Sequence, residues 1–136
     1  MLTSVNPNSG AQGQNLSSVI LTGSNFQSGA SCSFGAGITV NSCAFNSGAQ
    51  LTANISIGAT ATVGSRSVTV TNPDGQFSTL SSAFTVNTAV APPPTLSSVN
   101  PTSGAQGQNL TSVVLSGSNF QSGATCGFGD GMTVNS

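Results

Sequence analysis

A two-layer, all-β sandwich is the fold this sequence predicts. Three observations predict it: short runs of alternating Val, Ile, Leu and Phe, turn-forming Gly, Pro, Asn and Asp between the runs, and no stretch with a sustained helical period. The chain is also a tandem repeat. Leu2 to Ser42, beginning LTSVNPNSGAQGQNL, returns as Leu96 to Ser136, beginning LSSVNPTSGAQGQNL. Asn6 maps on Asn100, Phe26 on Phe120 and Cys32 on Cys126, each at an offset of 94 (126 − 32), so the period is a small domain and not a solenoid unit. A chain of 136 residues then holds one complete repeat, residues 1–87, a Pro-rich linker over 88–94, and the N-terminal half of a second repeat over 95–136.

Taken in order, Leu2 to Val5 is a short β-prone segment. Asn6-Pro7 and Ser9-Gly10 are expected to end it in a turn, since Pro lacks a donor and Gly accepts positive φ. In Ser18 to Phe26, Val19 and Leu21 share one face and Ile20 and Thr22 the other, with Gly23 permitting a bend before Phe26. Ala30, Cys32 and Phe34 share a face of the next strand, which Gly35 and Gly37 close. Ile38 to Phe45 forms a further strand whose apolar positions change parity between Val40 and Cys43, which predicts a bulge there. Leu51, Ala53, Ile55 and Ile57 give the cleanest period-two alternation. Arg66 to Thr71 alternates again through Val68 and Val70, and Asn72-Pro73-Asp74-Gly75 supplies a turn. Ser82 to Val86 is the last of seven predicted strands, with Phe84 and Val86 on one face. Ala91-Pro92-Pro93-Pro94 follows as a stiff polyproline-like linker.

Composition removes several classes of function. The charged side chains are Arg66, Asp74 and Asp130, where an average soluble protein carries roughly 25% charged residues. Solubility then rests on Ser, Thr, Asn and Gln. The longest apolar runs are a few residues, against the roughly 20 that cross a bilayer, so no membrane insertion is expected. With no His, Lys or Glu, the many hydroxyls have no base to activate them, so the chain is not expected to be an enzyme. Asp74 and Asp130 are far apart in sequence and read as turn residues, so neither a metal nor another cofactor is expected. One guanidinium cannot neutralise a phosphate backbone, which excludes nucleic acid as a partner. Trp and Tyr platforms for sugars are missing, and all seven aromatics are Phe. Asn15-Leu16-Ser17, Asn54-Ile55-Ser56 and Asn109-Leu110-Thr111 match the N-glycosylation acceptor pattern, at a frequency that chance gives in a chain so rich in Asn, Ser and Thr.

In order along the chain, VNPNSGAQGQ, VILTGSNF, CSFG, SRSVTVTNPDGQ and a closing FTV resemble the IPT/TIG immunoglobulin-like domain. Its marks are a Pro-Gly turn near the start, a Gly-x-x-Phe after the second strand and an Asn-Pro-x-Gly turn before the last strand. The resemblance covers Leu2 to Val86 in full and Leu96 to Ser136 in part. It implies an immunoglobulin-like sandwich with a non-catalytic role and no shared active-site residues. Such domains occur in extracellular receptor stalks, in tandem in bacterial surface proteins and in Rel-type transcription factors. The single Arg66 makes the Rel-type branch a poor guide, and a bacterial or archaeal surface protein is the implied setting.

Cys32 and Cys43 lie on β-prone segments flanking a Gly-rich connection. A disulfide between them would staple adjacent strands, contribute roughly 3 kcal/mol and point to an extracellular or cell-surface location. Two buried thiols or a metal pair are the competing readings, the latter weakened by the missing His and Cys-x-x-Cys. Cys126 would find its partner at 137 (126 + 11), so it is expected to be unpaired or intermolecular. Met1 stands where the second copy has Thr95, with no signal peptide before it, and the chain is expected to be an excerpt of a longer repeat protein.

The half repeat would leave Val113, Leu115 and Phe120 without a partner sheet. The linker from Val86 to Leu96 takes ten steps (96 − 86) and reaches about 33 Å at full stretch, while the poles of such a domain lie about 30 to 40 Å apart. Completion is therefore expected between chains, head to tail, by strand exchange or edge pairing, giving a stalk, fibre or filament built from copies of the chain. The alternative is an adhesin-type module whose loops bind a surface receptor or glycan. With so few ionisable groups, the melting temperature should move by less than about 5 °C between about pH 5 and pH 8. A larger shift in calorimetry, with the disulfide intact, would reveal an ion or partner linked to folding.

Overall fold

The structure, a computed structural model, describes residues 1–135; Ser136, the last residue of the second copy, lies outside them. Among the described residues there are ten strands and no helix. They fall into two compact units, Met1–Val90 and Ala91–Ser136. The first unit holds β1 (Leu2–Asn6), β2 (Ser9–Ala11), β3 (Asn15–Gly23), β4 (Ser31–Ser33), β5 (Ile38–Ser47), β6 (Gln50–Ile57), β7 (Gly64–Thr71) and β8 (Phe77–Asn87). The second holds β9 (Thr95–Asn100) and β10 (Val114–Ser118).

In the first unit the strands form two four-stranded sheets, ordered β1-β3-β6-β5 and β2-β8-β7-β4. Their inner faces share one core. Strand β6 sits between β3 and β5, and its alternation places Leu51, Ala53, Ile55 and Ile57 inward and buried. Val19 and Leu21 of β3 lie beside them, while Val68, Val70, Phe84 and Val86 come from β7 and β8 of the other sheet. Phe34 and Phe84 meet edge to face at 5.5 Å, an arrangement that adds aromatic attraction to their burial. Each of these large side chains contributes about 1.5–3 kcal/mol by leaving water.

Several local features have clear causes. The register of β5 against β6 shifts between Val40 and Ser42, where the apolar parity of the sequence changes. The Asn72–Gly75 turn is closed by the Gly75 amide donating to the Asn72 carbonyl at 3.0 Å, with Gly75 at φ 85°, a conformation that suits glycine. Gly23 matters for a different reason than a bend. A Cβ there would strike the Met1 carbonyl oxygen and come within 2.5 Å of the Phe26 ring, so the missing side chain admits the first strand and Phe26 together.

Three expectations need correction. Ser9-Gly10 is not a turn but the core of β2, which pairs in parallel with β8, Ser9 opposite Thr85. Gly10 is buried there, and a Cβ on it would lie 2.5 Å from Ile57 Cδ1. The unit therefore has eight strands, not seven. The last strand begins at Phe77, well before Ser82, because the ladder with β7 slips between Arg66 and Val68 and places Ser82 at φ 51°. That irregularity resets the alternation the sequence displays. Finally, the disulfide joins sheets and not neighbouring strands of one sheet. Cys32 on β4 and Cys43 on β5 are bonded with Cα atoms 6.1 Å apart, and β4 and β5 are edge strands of different sheets. The bond closes a separation of 11 residues, for which lost chain entropy amounts to about 3 kcal/mol. Reduction should thus lower the melting temperature of the first unit by more than about 10 °C; an unchanged melting curve would mean that the core alone holds the two sheets together.

Candidate assembly surface

Two of the three charged side chains, Asp74 and Arg66, are engaged in local structure. Asp74 Oδ2 accepts from Gln27 Nε2 at 2.8 Å, and Asp74 Oδ1 accepts from the Gln76 amide at 3.0 Å, which makes this carboxylate part of the turn. Arg66 donates to the carbonyl oxygens of Ala36 at 3.2 Å and Ser65 at 3.0 Å, and also to that of Thr62. Its guanidinium thereby ties two loops to β7, a role the sequence reading missed for want of any local signal. Among the described residues no group of three or more His, Cys, Asp or Glu could hold a metal ion. A small depression of about 90 Å³ is lined by Met1, Asn25, Phe26, Asn72, Gln76 and Phe77 among others, with no charged side chain at it.

The second unit shows how far the repeated sequence folds without the later strands. Its β9 and β10 pair antiparallel with Leu115 opposite Val99 and Gly117 opposite Leu96, which is the register of Leu21 with Val5 and Gly23 with Leu2 shifted by 94 (115 − 21). The local turns are copied too: Gln108 Oε1 accepts from the Ala105 amide at 2.8 Å, as Gln14 Oε1 does from Ala11. What differs is cover. In the first unit β3 has β6 on its far side, whereas β10 pairs with β9 alone. No described residue of the second unit belongs to the buried core. Leu2 is 3% exposed and its counterpart Leu96 is 56%, and Phe26 at 6% corresponds to Phe120 at 48%.

Of the residues singled out from the sequence, Leu115 of β10 and Val113 just before it are half-buried and Phe120 is exposed, all three on the second unit. Cys126 is a free, exposed thiol, while its counterpart Cys32 is bonded to Cys43. Leu96, Val99 and Phe128 belong to the same apolar set, because Leu2, Val5 and Phe34 are buried in the first copy. The offset of 94 (96 − 2) is the signal in the sequence that marks them.

A first unit also leaves an apolar strip of its own. Residues paired across a ladder share a face, and Ile38, Val40 and Phe45 of β5 pair with Ile57, Ile55 and Leu51. They therefore point inward, yet Ile38 and Val40 are half-buried and Phe45 is 41% exposed. The ten residues of β5 face a β4 of three residues. The sandwich is open along that margin.

The chain matches no family model, no curated protein and no solved structure. The two copies supply an internal test of how much cover matters. Leu21→Ala should destabilise the first unit by about 2–5 kcal/mol, whereas Leu115→Ala should destabilise the second unit by less than about 1 kcal/mol, read by hydrogen exchange in each unit; equal effects of the two substitutions would show that the second unit is packed as tightly as the first.

Proposed function

We propose that this chain is a non-catalytic structural module of an extracellular repeat protein, an immunoglobulin-like domain of IPT/TIG type that builds a stalk, fibre or filament by associating head to tail with copies of itself. One observation carries the reading. The apolar side chains buried in the first copy are exposed or only half-buried in the second, so the second unit presents a face that the same sequence elsewhere keeps dry. Two different surfaces, one on each unit, meet in such an association, and a heterologous contact that does not close by rotation extends into an open filament.

The disulfide supports an oxidising, extracellular setting. The scarcity of charge supports dense packing of identical modules, since neighbours with one cation and two anions each carry little mutual repulsion. The rigid sandwich and a linker containing Pro92-Pro93-Pro94 suit a spacer whose task is to hold distance.

Sedimentation and electron microscopy of the full chain, against a version ending at Val90, test the reading. The full chain is expected to form concentration-dependent oligomers and the shorter one to stay monomeric. A full chain that remains monomeric at high concentration would overturn it.

A further inference from the structure

Residues 88–94 are shared out between the two units. On the first unit, Gln12 holds the outgoing chain. Its amide donates to the Asn87 carbonyl at 3.0 Å, its Oε1 accepts from the Ala89 amide at 3.2 Å, and its Nε2 donates to the Ala61 carbonyl at 2.7 Å. The bond to Ala61 decides which way round the carboxamide lies, since only its nitrogen can donate, and so leaves the oxygen to face Ala89. The chain is therefore tied down past Asn87, the last residue of β8.

On the second unit the incoming chain is held from Pro93 onward. Asn119 Nδ2 donates to the Pro93 carbonyl at 3.2 Å, Pro94 lines a shallow depression with Asn119, Gln121 and Ser122, and the Thr95 and Ser118 hydroxyls meet at 2.6 Å. Gly117 admits the strand this closely, because a Cβ there would strike the Thr95 carbonyl oxygen. Asn119 sits at φ 61°, a left-handed conformation that Asn adopts more readily than most residues, and its counterpart Asn25 has φ 58°.

Between the two anchors lie Val90, Ala91 and Pro92, and they are not equally free. The ring of Pro92 fixes its own φ, and Pro93 after it keeps it out of the helical region. Ala91 also precedes a proline and carries the second of these restrictions. Val90 is the one residue of the three restrained by no ring. We propose that movement of one unit against the other is confined to a single joint at Val90–Ala91, with Gln12 fixing the arm before it and Asn119 the arm after it.

Both anchors belong to the repeat. Gln12 recurs as Gln106 and Asn25 as Asn119, each at the offset of 94 (106 − 12), so a complete copy carries one side chain for the chain that leaves it and one for the chain that enters it. Both are neutral amides, so neither salt nor pH between about 5 and 8 releases them. The contacts lie within single units, and the joint does not depend on association between chains. A row of such repeats would flex at one point per period.

Backbone relaxation of the full chain, dilute enough to be monomeric, tests this. Order parameters close to a rigid backbone, about 0.85, are expected for the Ala89 and Thr95 amides and the Pro93 carbonyl, with a minimum below about 0.6 at Val90 and Ala91. Gln12→Ala should speed exchange of the Ala89 amide hydrogen by about tenfold or more and lower its order parameter, leaving Thr95 unchanged. Asn119→Ala should loosen the Pro93 carbonyl and leave Ala89 unchanged. Unaltered exchange of the β6 and β7 amides shows that the Gln12 variant is still folded. A profile of the unsubstituted chain that declines evenly from Asn87 to Thr95, or that has its minimum elsewhere, would overturn the joint whatever the variants do. So would a folded Gln12→Ala chain in which Ala89 stays as ordered as before.

Discussion

A β-sheet buries one face only against a second sheet, and the whole organisation of this chain follows from that requirement. Leu2, Val5, Val19 and Leu21 occupy one layer, and they stay dry because Val68, Val70, Phe84 and Val86 arrive from the other. The second copy repeats the first layer's residues, pairs β9 with β10 in the same register, and leaves Leu96 exposed and Val99, Val113 and Leu115 only half-buried. Local hydrogen bonding is therefore cheap to specify and survives alone; burial is a property of the pair of layers.

The distinction also sorts what could be read in the sequence. The alternation of Leu51, Ala53, Ile55 and Ile57, the bulge after Val40 and the Asn72–Gly75 turn depend on residues a few positions apart, and each is visible in the string of letters. The parallel pairing of Ser9–Ala11 with β8 is not, because three small residues beside a proline carry the marks of a turn, and their partner lies more than seventy positions away. Arg66 belongs to the same group: its carbonyl partner on Ala36 comes from a loop thirty positions distant. The candidate surface was half legible. Val113, Leu115 and Phe120 follow from the repeat, whereas the margin at Ile38, Val40 and Phe45 depends on β4 being three residues long where β5 has ten, a mismatch between sheets that no single strand encodes.

With so few charges, polar side chains take over the work that ion pairs do elsewhere. Asn41 Nδ2 donates to both Asn54 Oδ1 at 3.0 Å and Ser56 Oγ at 2.8 Å across β5 and β6, and the Thr69 and Thr79 hydroxyls meet at 2.8 Å across β7 and β8. Such neutral contacts on a sheet surface contribute a few tenths of a kcal/mol to about 1 kcal/mol each and are nearly indifferent to salt. They also leave edge strands without the lysines that usually discourage neighbours. Polar cross-strand bonding and edge strands free of charge thus arise from the same choice of residues.

The position of the disulfide has a mechanical consequence. Tension applied at the two ends of the first unit enters through β1 and β8, while the covalent bond joins β4 and β5 on the opposite side of both sheets. The bond therefore bears no load until the terminal strands have pulled free, and it does nothing to raise the force of first yielding. Once they have, it locks 11 residue steps out of the extending chain, roughly 37 Å of contour at about 3.4 Å per step. A strand of such modules under strain would lengthen by shorter increments than its residue count implies and would keep a knotted seed, β4 tied to β5, from which each module could rewind.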